Sequence, residues 1–238
     1  MRIVSWNMDQ WGHSASHQEA WAFLWDLHPD IALVQETIVP EKLPSPYQSL
    51  WTRAWESRPW GTALVCRLGD VEVDWQDQSR GAVVAAHCSV PPLGPVSIAS
   101  IHARADGLVV PRLRLTFDAL RTQLGHRFIV GGDLNTTRAA AFAWPENGHG
   151  EFWAELDASE FRDCYYLFHE GERQTFWRDE LRGQPLTVGN SLMDDHVFVD
   201  PQTFEYLEGA EIIDTPEVRK LSDHGPVVID LALPDVAE

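Results

Sequence analysis

Apolar residues recur along this chain in short runs bounded by Gly, Pro, Asn and Asp. The runs are Arg2–Trp6, Ile31–Gln35, Gly61–Arg67, Val71–Trp75, Gly81–His87, Val96–His102, Arg127–Gly131, Asp195–Val199 and Val227–Leu233. Several are continuously apolar rather than alternating, as in strands covered on both faces. Two segments show helical spacing instead. Ser16–Leu27 opens on a capping residue and repeats Ala20, Phe23, Leu24 and Leu27 on one face, and Leu113–Leu124 follows Pro111 and stops before Gly125. The middle of the chain runs strand after strand without a helix, which argues against a doubly wound parallel sheet and for two packed sheets with helices outside. The longest irregular stretches are 138–152 and 169–190, and long loops beside a site usually set its specificity.

A length of 238 residues with no repeat, low-complexity tract or long linker reads as one domain, 1–238. No window approaches 18 consecutive apolar residues, so no membrane span is expected, and Trp6-Asn7-Met8-Asp9 interrupts any leader-like pattern. The expectation is a cytoplasmic monomer with no obligate protein partner. Cys66, Cys88 and Cys164 are few and without zinc spacing, which predicts buried free thiols. The formal charge of −18 lies mostly in residues 151–238, with 21 acids against 6 bases. Such a field disfavours tight nonspecific duplex binding, which needs basic residues to displace counterions. It does not exclude phosphoesters, because divalent metal offsets carboxylates and 16 of the 18 basic residues are Arg, the better bidentate phosphate grip.

The chemistry sits where apolar runs end. Glu36 closes Ile-Ala-Leu-Val-Gln, and a carboxylate there is costly unless paired or bound to metal. Asn7 follows Val-Ser-Trp and offers an amide to metal or phosphate. After Phe128-Ile129-Val130, Gly131-Gly132 permits a tight turn, and Asp133 and Asn135, two apart, can face one ligand. An Asx-turn is the bland alternative. In Ser222-Asp223-His224 the carboxylate can reach metal while the imidazole reaches phosphate. Such a histidine needs an orienting acid, for which Asp195 is the candidate, since Asp194 and Asp195 point to opposite faces of a strand. His102 ends a further buried run.

In order and context this set resembles the endonuclease/exonuclease/phosphatase (DNase I-like) superfamily. The marks are Ser5-Trp6-Asn7, Val34-Gln35-Glu36, Ile101-His102, Gly132-Asp133-Leu134-Asn135, Asp195-His196-Val197 and Ser222-Asp223-His224. The resemblance implies an α/β (α+β) four-layered sandwich, with two central mixed β-sheets flanked by helices. It implies Glu36 as principal Mg²⁺ (or Mn²⁺) ligand, with Asn7, Asp223 and, most distantly, Asp9 adjoining. Asp133 would orient or deprotonate water, Asn135 would hold the scissile phosphate, and His224, supported by Asp195, would contact a phosphate oxygen. His102 would assist at the leaving-group side. Which histidine is acid and which base stays open. The expected activity is metal-dependent hydrolysis of nucleic-acid phosphodiesters.

Arg53, Arg58, Arg104, Arg112, Arg114 and Arg138 are candidate phosphate contacts. Trp177, in Thr175-Phe176-Trp177, is a candidate base-stacking residue, with core packing as the alternative. Two other readings compete: a phosphatase or phosphodiesterase for a small phosphorylated metabolite or lipid head group, and a non-catalytic scaffold binding partners through its acidic last third.

Overall fold

A computed structural model describes residues 1–54, 58–69, 71–76, 82–143, 145–177, 180–181, 184–185 and 192–234. Its strands are β1 (Arg2–Asn7), β2 (Ile31–Thr37), β3 (Gln48–Arg53), β4 (Gly61–Cys66), β5 (Val71–Gln76), β6 (Val83–Val90), β7 (Gly94–His102), β8 (Phe128–Asp133), β9 (Arg162–Asp163), β10 (Glu180–Leu181), β11 (Gln184–Pro185), β12 (Asp195–Val199), β13 (Leu207–Ile212) and β14 (Val227–Leu231). The helices are α1 (His17–Asp26), α2 (Val109–Gln123), α3 (Ala140–Ala143), α4 (His149–Asp157), α5 (Pro201–Phe204) and α6 (Val218–Leu221). Two six-stranded sheets run in the orders β13-β14-β1-β2-β4-β3 and β5-β6-β7-β8-β12-β9, and β10-β11 is a separate ribbon. Each sheet contains one parallel pair, β1 with β2 and β7 with β8, among antiparallel neighbours.

The continuous apolar runs are explained by burial on both faces. Ile3, Ile31, Leu33, Ile129, Val197 and Ile229 project between the sheets, while Val4, Trp6 and Val34 project the other way, under Ala20, Trp21 and Leu24 of α1. On the second sheet Val130 and Phe198 meet Leu113, Phe117 and Leu120 of α2 and Phe152 and Trp153 of α4. Three apolar layers thus separate four layers of backbone, the sandwich expected. A fully buried Leu, Ile or Phe contributes about 1.5–3 kcal/mol, so a strand that serves two layers has little room for polar residues except at its ends.

Several expectations need correction. Pro111 lies inside α2, which starts at Val109; a proline in the first turn sacrifices no helical bond, since those N–H groups have no intrahelical partner. Ser16 stands at the start of α1 without capping it, and its hydroxyl donates instead to His13 O at 3.1 Å. Stretch 138–152 is not irregular: it holds α3 and the start of α4. The edge strands β3 and β13 have no counterpart among the predicted runs. Gly81 and parts of 169–190 lie outside the described residues. All three cysteines are free and buried, as expected.

Candidate active site

Because β1-α1-β2 and β7-α2-β8 are each parallel crossovers, the carboxyl ends of β1, β2, β7 and β8 share one edge of the sandwich, where ligands commonly bind in α/β folds. β12 and β14 run antiparallel to their neighbours and begin at that edge. In register, His102 and Asp195 both stand opposite Asp133, and Asn7 stands opposite Gln35.

Local backbone devices aim the side chains. The register between β2 and β4 slips between Val34 and Thr37, and Glu36 has φ 45°; the bulge re-aims its carboxylate into the cleft. Asp9 and Asn135 also adopt left-handed conformations, at φ 41° and 48°. A Cβ on Gly132, whose φ is 144°, would fall 1.8 Å from Ile101 O, so only glycine lets β8 pass β7 this closely and deliver Asp133. Ser222 ties the last motif to the first: its hydroxyl donates to Asn7 O at 2.7 Å and accepts His224 N–H at 3.0 Å. Trp6 Nε1 donates to His224 O at 2.8 Å.

The result is a cleft of about 860 Å³ lined by Asp9, Glu36, His102, Asp133, Asn135, Asp223 and His224. Asn7 and Asp195 lie just beneath it, both fully buried. Asn7 Nδ2 donates to Asp133 Oδ2 at 2.8 Å, and Asn135 N–H donates to Oδ1 at 2.8 Å, so both carboxylate oxygens are fixed. Asn7 Oδ1 accepts Asp9 N–H at 3.0 Å. Asn135 Nδ2 donates to Ala103 O at 2.7 Å. His102 Nε2 stands 3.4 Å from Glu36 Oε1 and 3.8 Å from Asp133 Oδ2. His224 Nδ1 bonds Asp195 Oδ2 at 2.8 Å, while its Nε2 lies 3.9 Å from Asp133 Oδ2 and 3.8 Å from Asp223 Oδ1. Every residue singled out from the sequence for catalysis or metal therefore meets at one place.

Burial and charge set the protonation states. Burial raises the Asp133 carboxyl to about 6, with His224 pulling down and Asp195 pushing up. Burial alone would lower His224, yet Asp195, then Asp133 and Asp223, hold its pKa well above the usual imidazole value. His102 is raised in spite of burial by Glu36, and in return His102 keeps Glu36 below its ordinary value despite burial. The His224 imidazolium thus faces ionised carboxylates across the cleft at neutral pH, and Glu36 biases His102 toward its charged form.

The carboxylates Asp9, Glu36 and Asp223 crowd together: burial, then the charges of Asp223 and Glu36, raise Asp9. This is the mutual repulsion that a hard divalent cation relieves. Among the described residues no three His, Cys, Asp or Glu side chains are grouped so as to hold a metal ion by themselves. An all-oxygen, open set fits Mg²⁺ or Mn²⁺ nonetheless, because Mg²⁺ keeps several waters and takes one or two carboxylates. Asp9 is already engaged, with Gly12 N–H at 2.9 Å and His13 Nδ1 at 2.7 Å.

Of the candidate arginines, Arg58 and Arg104 line the cleft. Arg112 pairs with Asp106, Arg114 with Glu155 and Arg138 with Asp157, and Arg53 lies outside the cleft lining. Trp177 does not line the cleft either. Its ring meets Gly225, where an added Cβ would come within 2.4 Å, and Arg219 lies 4.9 Å above it. Phe176 takes the cleft position, 4.8 Å from the His224 ring. Backbone bonds from Trp177 to Asp223 and from Gly225 to Thr175 brace the histidine turn. Sequence reasoning missed Trp60, which packs 5.8 Å from His102, and His149 in the wall, and gave no role to Asp194, which also lines it. None of these three ends a long apolar run, so no periodic signal marks them.

Protein-family models and curated protein sequences give no match. Solved structures do. An AP endonuclease from Archaeoglobus fulgidus aligns with TM-score 0.69 at 16% identity, covering 98% of this chain and 100% of that one. A 3'-5' exonuclease from Neisseria meningitidis aligns with TM-score 0.66 at 21% identity, covering 98% and 100%. An endonuclease/exonuclease/phosphatase from Bacteroides vulgatus aligns with TM-score 0.68 at 19% identity, covering 98% of each chain. At these identities the likeness speaks for the architecture, and over almost its whole length the chain has the endonuclease/exonuclease/phosphatase (DNase I-like) fold.

Proposed function

We propose that this chain is a divalent-metal-dependent phosphoesterase that hydrolyses nucleic-acid phosphodiester bonds by in-line attack of water. The observation that carries the reading is the convergence of a fixed carboxylate, Asp133, with an Asp195-held imidazolium, His224, beside the acidic cluster of Glu36, Asp223 and Asp9. The shared fold of an AP endonuclease and a 3'-5' exonuclease supports nucleic acid as the substrate. The charge of −18 favours short, flexible or single-stranded forms over long duplex.

With its pKa near 6, Asp133 is largely ionised at neutral pH yet more basic than an ordinary aspartate, which suits a general base. Asn7 and Asn135 fix its oxygens so that it orients the attacking water and takes the proton as the new O–P bond forms. His224 presents Nε2–H to a non-bridging phosphoryl oxygen, and Asp195 keeps the ring charged and oriented. His102, biased toward its charged form by Glu36, assists departure of the leaving oxygen. Asn135 lines the cleft on the phosphate side. A cation held by Glu36 and Asp223, with Asp9 and Asn7 adjoining, would supply Lewis-acid stabilisation of the phosphoryl charge.

The test is a substrate panel with Mg²⁺ or Mn²⁺ and with chelator: bis-p-nitrophenyl phosphate, single-stranded oligonucleotides and phosphomonoesters. Metal-dependent cleavage of the diesters is expected. Phosphate release from monoesters alone would favour the small-metabolite or head-group reading, which the limited basic lining of the cleft supports. Absence of Mg²⁺ and Mn²⁺ binding by calorimetry would refute metal-dependent catalysis.

A further inference from the structure

We propose that Asp194 is a specificity residue whose carboxyl group, in the cleft wall beside Asp133, hydrogen-bonds a hydroxyl group carried by the substrate next to its scissile phosphate. The inference rests on the phosphoesterase reading and narrows its substrate class to ribonucleotide rather than deoxyribonucleotide strands.

The position follows from strand geometry. Asp195 opens β12 opposite Asp133, and side chains alternate along extended backbone. Asp195 turns down to His224, so Asp194 turns to the cleft, which it lines together with Leu192 and Phe176. Its backbone is pinned on both sides: its N–H donates to Thr175 Oγ1 at 3.0 Å, and its carbonyl accepts Leu134 N–H at 2.8 Å. The residue is 8% exposed, and among the described residues its carboxyl group makes no hydrogen bond or ion pair. A polar group this deeply buried carries a desolvation cost unless something in the cleft meets it.

The chemistry of the missing partner follows from the protonation state. Burial, then the charge of Asp133, raises the Asp194 carboxyl to about 8, so at neutral pH it is a neutral acid with one O–H donor and one carbonyl acceptor. A phosphate oxygen only accepts and would leave that carbonyl unmet. A hydroxyl both donates and accepts, and the flanking Leu192 and Phe176 suit the apolar edge of a sugar ring. Asp194 takes no part in the proton transfers assigned to Asp133, His224 and His102.

The experiment compares kcat/KM for single-stranded ribo- and deoxyribo-oligonucleotides of one sequence, with Mn²⁺, in wild type, Asp194→Asn and Asp194→Leu. Wild type is expected to favour the ribo strand by roughly 10-fold, the value of one net hydrogen bond. Asn, which keeps a donor and an acceptor, should retain that preference, and Leu should bring the ratio near one. Mn²⁺ affinity by calorimetry should be unchanged in both variants. Equal ratios in wild type and Asp194→Leu would overturn the proposal alone, as would lost Mn²⁺ affinity in Asp194→Asn, which would make Asp194 a cation ligand. Cleavage of neither strand by the wild type would instead overturn the nuclease reading, and this proposal with it.

Discussion

Asp195→Asn isolates the pair on which the proposed chemistry turns. Asp195 Oδ2 and His224 Nδ1 are 2.8 Å apart and both side chains are buried. At an effective dielectric of about 20, two unit charges at that distance attract by roughly 6 kcal/mol before desolvation is counted against them. Asn keeps the shape of the side chain, and the backbone N–H still donates to Thr175 Oγ1 at 3.2 Å, so the strand should not move. What changes is charge. Burial, no longer opposed by Asp195, pulls His224 back toward the neutral form, with only Asp133 and Asp223 left to raise it. The imidazole can shed its proton, so the fold is spared much of the 3–5 kcal/mol usual for a broken buried pair. Turnover is not spared: loss of the charged donor should lower kcat/KM by about 100- to 10,000-fold. The assay is bis-p-nitrophenyl phosphate hydrolysis across about pH 5.5–9, with the His224 titration followed by nitrogen NMR. Wild type should rise with pH as Asp133 ionises near 6 and hold its plateau into alkali, whereas the variant should lose its alkaline plateau. An unchanged His224 midpoint with near-wild-type rates would refute the assigned role.

Asp133→Asn should abolish turnover while circular dichroism stays native, because Asn7 and Asn135 partner the residue but the base is gone; residual hydrolysis near wild type would remove Asp133 from the mechanism. Chelation of Mg²⁺ or Mn²⁺ should stop hydrolysis without unfolding the protein, and thermal melts with and without chelator separate the two effects. Gly132→Ala should cost more than about 3 kcal/mol, since its Cβ would collide with Ile101 O; urea denaturation measures it, and a loss under 1 kcal/mol would contradict the close β7–β8 passage. Asp194, raised in the folded state to about 8 from 3.8, binds its proton more tightly folded than unfolded. Its contribution to stability is therefore full below about pH 4 and declines as pH rises to 8, by at most about 1.4 kcal/mol per pH unit. Asp194→Asn should flatten that slope in denaturation curves, and an unchanged slope would mean the carboxyl ionises normally.

Much of the architecture is written in local pattern. β1, β2, β7, β8, β12 and β14 each serve two apolar layers, so they stand out as unbroken apolar runs, and a polar residue at such a run's end is conspicuous. That is why Asn7, Glu36, His102, Asp133, Asp195 and His224 could be named from sequence. The edge strands β3 and β13 face solvent along much of their length and carry no such signature. α4 is hidden by Gly148 and Gly150 at its start, although Phe152, Trp153 and Leu156 bury a full face.

Only the tertiary structure decided which groups touch. The sequence named Asp195 as the acid that orients the histidine and gave Asp194 no role; the pairing of β12 with β8 turned the first to His224 and the second to the cleft. Trp177 was the stacking candidate, but Gly225 opens a seat for its indole outside the cleft and leaves the phenyl ring of Phe176 against His224. The arginines were equal in sequence, and only their placement divided them: Arg58 and Arg104 line the cleft, although Arg104 shares Asp106 with Arg112, while Glu155 and Asp157 hold Arg114 and Arg138. Burial and charge are properties of assembled surroundings, so the raised Asp133 and Asp194 and the protonated His224 exist only once strands distant in sequence share one edge.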